Sequence, residues 1–99
     1  MIKLRILPPA RLEMLDASAF YESRSDGLGD RFLNEIDRAL AVILDAPKRW
    51  PQPFRGFHRY VLHDFPYGIF YKALKTEVVV VAIAHLHRRP GYWLHRWRH

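Results

Sequence analysis

Apolar and charged residues alternate at the start of this chain. Ile2, Leu4 and Ile6 are separated by single basic residues, which is the period of a half-buried β-strand. A Pro-Pro pair follows directly and ends the strand, because proline cannot donate to a sheet ladder. The pattern predicts a first strand over residues 2–6.

The next segment changes to helical spacing. Its apolar residues recur at i, i+4, i+7 and i+11, the repeat of one helix face. The stripe consists of Ala10, Met14, Ala17 and Tyr21, with Leu12, Leu15 and Phe20 expected to widen it. This predicts a first helix, and Glu13 and Asp16 lie in its first turns.

A second helix is predicted after the turn formed by residues 25–27. Either Ser25 or Asp26 is expected to cap its N-terminus, and Pro47 ends the pattern. The apolar positions are Leu28, Phe32, Ile36, Ala39 and Ile43, with Leu40 and Leu44 alongside. Two helices joined by a short turn are expected to pack as an antiparallel hairpin.

The second half of the chain is rich in β-branched and aromatic residues. Strands are predicted over 57–62, 67–74 and 78–84, with His63-Asp64 and Lys75-Thr76 as tight hairpin turns. Four consecutive valines, residues 78–81, show no alternation, so this strand is expected to be central or covered on both faces.

These elements predict an α+β fold with the order β-α-α-β-β-β. The helical hairpin is expected to pack on one face of a small, mainly antiparallel four-stranded sheet. The first strand is expected to pair at one edge of the three-stranded meander. A chain of 99 residues is suited to one domain, predicted to span residues 1–99.

Charge is divided unevenly along the chain. Residues 1–45 hold 6 Lys and Arg against 8 Asp and Glu, whereas residues 46–99 hold 10 against 2. The C-terminal segment has no acidic residue after Glu77, and its arginines alternate with aromatic residues and histidines. These residues are His85, His87, Arg88, Arg89, Tyr92, Trp93, His95, Arg96, Trp97, Arg98 and His99. Arginine forks suit phosphates or carboxylates, so the segment indicates an anionic partner.

Other features narrow the class of protein. The chain has 0 cysteines, which excludes disulfides and thiolate zinc sites and favours the cytoplasm. No apolar run approaches the ~20 residues of a membrane span, and no signal peptide is recognised. The six histidines lack a metal-binding motif, and no nucleotide-binding glycine loop is present. Neither a metal nor another cofactor is expected.

Two segments resemble one toxin family. Residues 65–72 (FPYGIFYK) are followed, after one strand, by residues 84–93 (AHLHRRPGYW). This pair is similar to the small toxins of the RelE/ParE superfamily, in which an aromatic hairpin strand precedes a strand ending in His, Arg, Pro and Trp. The resemblance continues back through residues 29–32 (GDRF) and covers nearly the whole chain.

The resemblance implies the toxin of a bacterial type II toxin–antitoxin pair. The ParE-like branch is the closer one, and its members poison DNA gyrase by binding it. It also implies a cognate antitoxin with an acidic C-terminal segment, and a hetero-oligomeric toxin–antitoxin complex. Arg88, Arg89, Trp93 and Arg96 are then candidate target contacts, although Trp93 can equally be a core residue.

The alternative is a ribosome-dependent mRNA endonuclease of the RelE-like branch. Cleavage by a 2′-hydroxyl needs a base, a cation and an acid. His58, Arg59, His85, Arg88 and Tyr92 are the candidates. The sequence departs from that branch, because the strand around Arg59 has one arginine and no lysine, and the tail lacks a His-Tyr pair. Outside catalysis, His58 is expected to be an exposed hairpin residue. A third interpretation is a non-toxic binding module of the same fold.

Overall fold

A four-stranded sheet carries a helical hairpin on one face. The computed structural model describes residues 1–97. The elements are β1 (Lys3–Ile6), α1 (Pro8–Arg24), α2 (Leu28–Asp45), β2 (His58–Val61), β3 (Tyr67–Ala73), β4 (Glu77–His85) and a 3-10 turn (Leu94–Arg96). The predicted fold class and element order are confirmed. Arg98 and His99, which the sequence analysis counted in the basic C-terminal segment, lie outside the described residues.

The strands lie in the order β1-β4-β3-β2. β1 pairs with β4 in parallel, and the other two pairs are antiparallel. The first strand therefore lies at an edge of the sheet, as predicted, and β4 is a central strand. Its four valines are fully buried because β4 has a strand on each side and packed side chains on both faces.

A bulge in β4 explains part of the missing alternation. Phe70 pairs with Ala82, whereas the next residue, Tyr71, pairs with Val80. Val81 is therefore an extra residue in β4. The side chains after it lie on the opposite face of the sheet from the one that strict alternation would give. Such a bulge bends the strand and turns the end of β4, where the basic segment begins.

The sheet has a hydrophobic cluster on each face. The cluster under the helices includes Phe32, Ile36 and Ile69. The opposite cluster contains Phe70 and Trp93 and is covered by the segments before β2 and after β4. Phe65, Phe70 and Tyr71 are buried and belong to the core.

The prediction for α1 was wrong at three positions. Leu12, Leu15 and Phe20 are 62%, 49% and 50% exposed, while Ala10 and Ala17 are buried. Leu12 and Leu15 each lie two residues from one of these alanines, so they are nearly on the opposite side of the helix. The buried stripe is narrow and made of small residues, and an apolar surface is left facing outward.

The N-terminus of α2 is not capped by Ser25 or Asp26. The N-cap is Gly27, without a side-chain cap. The carboxylate of Glu22, in α1, instead accepts the backbone N–H groups of Gly27 and Gly29, both at 2.9 Å. A neighbouring helix thus supplies the acceptor that unpaired N-terminal amides need.

The connection between β2 and β3 is longer than the predicted two-residue turn. It spans residues 62–66 between the two strands. The buried carboxylate of Glu35 in α2 accepts the backbone N–H of His63 at 2.5 Å and that of Asp64 at 3.3 Å. The loop is held by a long-range contact, which sequence patterns do not report.

Candidate functional site

The C-terminal segment reverses direction after β4 and returns across the sheet face opposite the helices. Gly91 has a positive φ of 76°, which glycine adopts at little cost. A Cβ atom at this position would also lie 2.9 Å from Leu94 Cδ1 and 3.1 Å from Phe54 Cε1. The turn therefore requires glycine, and it places the following tryptophan against the sheet.

Trp93 lies in the core instead of on a contact surface. Its side chain is 1% exposed. The indole contacts three phenylalanine rings, with centroid distances of 5.3 Å to Phe54, 5.1 Å to Phe57 and 4.7 Å to Phe70. Of its two interpretations, the structure places Trp93 as the anchor that attaches the C-terminal segment to the sheet.

Arg96 is held by an ion pair with α1. Its Nη1 and Nη2 atoms lie 2.8 Å and 3.0 Å from the two carboxylate oxygens of Glu13. Nη1 also donates to the backbone oxygen of Val81 at 3.1 Å, and Glu13 accepts the Ile83 N–H at 3.0 Å. The pair therefore covers the edge of β4 beyond the end of β1. Arg96 was expected as a target contact, but its guanidinium is engaged within the fold.

The phenol of Tyr92 belongs to the same network. Its hydroxyl donates to Glu13, and the guanidinium of Arg88 lies 3.9 Å from the centre of its ring. Burial, followed by the hydrogen bond to Glu13, raises the pKa of Tyr92 to about 12. The phenol keeps its proton well above neutral pH and donates a hydrogen bond to the carboxylate.

Three arginines meet at a small cavity on the helix-free face. Arg59 comes from β2, and Arg88 and Arg89 come from the segment after β4; all three line a cavity of about 80 Å³. The ion pairs within residues 1–97 are Arg5–Glu77 and Arg96–Glu13. None of the three arginines is therefore neutralised by a carboxylate in the described part of the chain.

His58 lies apart from this cavity. It is 5% exposed, its Nδ1 atom is 2.7 Å from the backbone oxygen of Trp50, and its ring stacks on Tyr71. The expectation of an exposed hairpin histidine was wrong. The ring is covered by Tyr71 and by the connection after α2, which includes Trp50. Among the other histidines, His85 lines the arginine cavity.

A second cavity of about 210 Å³ lies between α1 and the end of β4. It is lined on one side by Asp16 and Phe20 and on the other by Tyr67, His85 and Arg88. Tyr67 and His85 contact each other edge to face, with ring centroids 5.2 Å apart. His85, Arg88 and Tyr92 border both cavities and therefore lie between the carboxylates of α1 and the arginine cavity.

The structure brings together some of the candidate residues. Those at the arginine cavity are Arg59, His85, Arg88, Arg89, Tyr92 and Trp93. Arg96 is directed toward α1, and His58 does not line the cavity but contacts Trp50 and Tyr71. Within residues 1–97, no group of three or more histidine and carboxylate side chains is placed to hold a metal ion, and no helix is long and apolar enough to cross a bilayer.

Glu13 organises the C-terminal segment, a role that the sequence patterns did not predict. The available signal was its position, three residues after Ala10 and four before Ala17, which places a carboxylate on the buried side of α1. Glu35 shows the same signal between Phe32 and Ala39 and is also a buried acceptor. A carboxylate within an apolar stripe indicates a partner across the core.

The fold and this site define the class of protein. It is a small α+β protein with a helical hairpin on one sheet face and an arginine-rich segment on the other, as the resemblance to the RelE/ParE superfamily implies. The family described as "ParE toxin of type II toxin-antitoxin system, parDE" matches residues 4–90. The chain belongs to this family of toxins, and the sequence-based recognition is confirmed.

A solved structure supports the fold. The chain is similar to one described as "Chromosomal ParDE TA system from P. aeruginosa", with a TM-score of 0.70 at 15% sequence identity. The similarity covers 88% of this chain and 98% of the other. Comparison with curated proteins gives no significant match.

Proposed function

We propose that this ParE toxin arrests growth by binding DNA gyrase and holding its cleaved-DNA intermediate. The observation that supports this most directly is the position of Arg88 and Arg89. Both are exposed at the end of β4, and neither forms an ion pair with a residue in 1–97. Exposed arginines that no internal carboxylate neutralises are suited to charge-assisted contacts with another molecule.

A cognate antitoxin neutralises the toxin in this proposal. The similar P. aeruginosa structure is that of a ParDE toxin–antitoxin system, which favours a hetero-oligomeric complex here too. The outward apolar side chains of α1, Leu12 and Leu15, lie on the same helix as Phe20, which borders a cavity shared with Arg88. An amphipathic segment with acidic residues at its C-terminal end matches both the apolar surface and the arginines. Both partners then act in the cytoplasm, where gyrase works.

The alternative function is mRNA cleavage. Arg59, His85, Arg88 and Tyr92 border one cavity, which favours it. Against it, His58 does not line that cavity, and Tyr92 has a pKa raised to about 12 and donates a hydrogen bond to Glu13. A general base must lose its proton near neutral pH, so the phenol is unsuited to that role.

Expression and a reconstituted gyrase reaction test the proposal. Expression of the toxin alone should stop growth, and coexpression of the antitoxin should restore it. Purified toxin with gyrase, DNA and ATP should accumulate cleaved DNA, while translating ribosomes show no new mRNA cuts. Codon-phased mRNA cleavage with unaffected gyrase would instead establish the endonuclease, and normal growth at verified expression would leave only the binding module.

A further inference from the structure

The helix-free face of the sheet combines arginines from two distant parts of the chain. We propose that Arg59, Arg88 and Arg89 form a phosphate-binding site that takes a backbone phosphate of the DNA on which gyrase acts. The inference rests on the proposed action on gyrase and extends it, since the toxin would contact the nucleic acid as well as the enzyme.

The arginine cavity itself contains no carboxylate, although Arg88 also borders the neighbouring cavity that Glu13 and Asp16 line. No acidic residue lines the cavity, and none of the three arginines forms an ion pair within residues 1–97. Guanidinium groups donate pairs of hydrogen bonds that match the oxygens of a phosphate. A site with three such groups favours a phosphodiester over a single carboxylate.

The lining of the cavity indicates which part of a nucleotide binds there. The cavity is small, about 80 Å³, and open to solvent, and its lining includes the three arginines and no carboxylate. Guanidinium groups match phosphate oxygens better than they match a base with its sugar. The expected contact is therefore to the backbone, which fixes a protein on DNA without reading its sequence.

Gly68 leaves the space that Arg59 needs to reach the cavity. Gly68 in β3 lies beneath Arg59, and a Cβ atom at this position would be 3.3 Å from Arg59 Cγ and 3.3 Å from Leu86 Cδ2. The missing side chain lets the arginine of β2 lie across β3 toward the end of β4. Gly68 is thus a positioning residue for Arg59, and Gly68→Ala should displace that arginine without changing the charge.

Titration of a fluorescein-labelled duplex of about 20 base pairs, followed by anisotropy at salt concentrations from about 50 to about 200 mM, tests the site. Neutralisation of one backbone phosphate predicts that this site contributes about −0.9 to the slope of log affinity against log salt. Arg59→Gln, Arg88→Gln and Arg89→Gln should each bring the slope closer to zero, by at most about 0.9, and reduce the affinity at the lowest salt roughly tenfold. Gly68→Ala should weaken binding as Arg59→Gln does.

Arg31→Gln is the matched control, because Arg31 is an exposed arginine of α2 and its loss changes the net charge equally. It should leave the slope unchanged, and the arginine variants should melt near the parent temperature. If the site variants and Arg31→Gln show equal slopes, overall charge explains the attraction and the proposal is wrong. Cutting of a single-stranded RNA probe at this site would overturn it in favour of the endonuclease.

The gyrase reaction separates this inference from the proposed function. Arg59→Gln should bind DNA-free gyrase as the parent does and trap less cleaved DNA. Equal trapping by Arg59→Gln and the parent would overturn the DNA contact but leave gyrase as the target. If the parent traps no cleaved DNA, the proposed function fails, and the anisotropy series still decides whether the phosphate site exists.

Discussion

Glu13 and Arg96 form a two-point ion pair that joins the first helix to the C-terminal segment, with nitrogen–oxygen distances of 2.8 Å and 3.0 Å. The two residues are 83 positions apart in the chain. The same carboxylate also accepts hydrogen bonds from the Ile83 N–H and the Tyr92 hydroxyl. One side chain therefore joins α1 to β4 and to two residues of the C-terminal segment. The segment that presents Arg88 and Arg89 follows β4 directly, and its C-terminal side is attached twice, by Trp93 and by this ion pair.

Glu13→Gln should destabilise the protein by about 2–3 kcal/mol, because it leaves the half-buried cation of Arg96 without its counter-charge. Differential scanning calorimetry should show a melting temperature lower by roughly 10 °C or more for a domain of this size. Glu77→Gln is the control, since its ion pair with Arg5 is exposed and such pairs contribute about 0–1 kcal/mol. Equal losses for the two variants would contradict the importance of the Glu13 pair.

Trp93→Ala should unfold or strongly destabilise the toxin, at a cost of about 3–5 kcal/mol, because it leaves a large cavity among three phenylalanine rings. Any loss of toxicity should follow the loss of folded protein, measured by urea denaturation. Trp93→Phe should recover part of the stability and, with it, the growth arrest. A folded Trp93→Ala variant that no longer arrests growth would instead assign the indole to target contact.

Arg88→Ala combined with Arg89→Ala should abolish growth arrest while changing stability by only ~0.5 kcal/mol per site. Both side chains are exposed and lack ion-pair partners within residues 1–97. Their removal therefore breaks no ion pair within this part of the chain. Thermal melting beside a growth assay checks both statements. A double variant that melts many degrees lower would show that the arginines are structural, and one that still kills would place the contact surface elsewhere.

Gly91→Ala should be more destabilising than Gly27→Ala. Both glycines have a positive φ, 76° and 85°, so both substitutions carry a backbone cost of ~1–2 kcal/mol. Only at Gly91 would the new methyl group also meet Leu94 and Phe54, whereas at Gly27 no described atom lies within 4 Å. Chemical denaturation of the two variants measures the difference, and equal losses would show that the C-terminal turn can shift.

Alkaline unfolding should depend on Tyr92. Its pKa rises from 10.0 in the unfolded chain to about 12 in the folded protein, first through burial and then through the bond to Glu13. The contribution to stability is therefore complete below pH 10 and is lost as the pH rises through about 12. The stability advantage of the parent over Tyr92→Phe should be constant up to pH 10 and shrink above it, as denaturation at a series of pH values will show. An advantage that persists at pH 12 would contradict the raised pKa.

The toxin family could be recognised from the sequence because its segments combine local patterns in a fixed order. The spacing of Phe32, Ile36 and Ile43 indicated the buried face of α2, since helical periodicity is a local property. The valines of β4 indicated a central strand for the same reason. Leu12 and Leu15 were wrongly assigned to the buried face of α1. The residue type shows that a side chain is apolar, but the face of the helix that is buried depends on the elements that pack against it.

The sequence by itself determined the element order, the α+β class, the uneven charge and the family, because each depends on residue type and short-range spacing. Tertiary structure alone decided the roles of the tail residues. Trp93 became a core anchor and Arg96 an internal partner because the turn at Gly91 folds the tail back against the sheet, toward Glu13. Arg59 joined Arg88 and Arg89 because strand pairing, and the space above Gly68, bring distant residues together, and no local pattern encodes such an encounter.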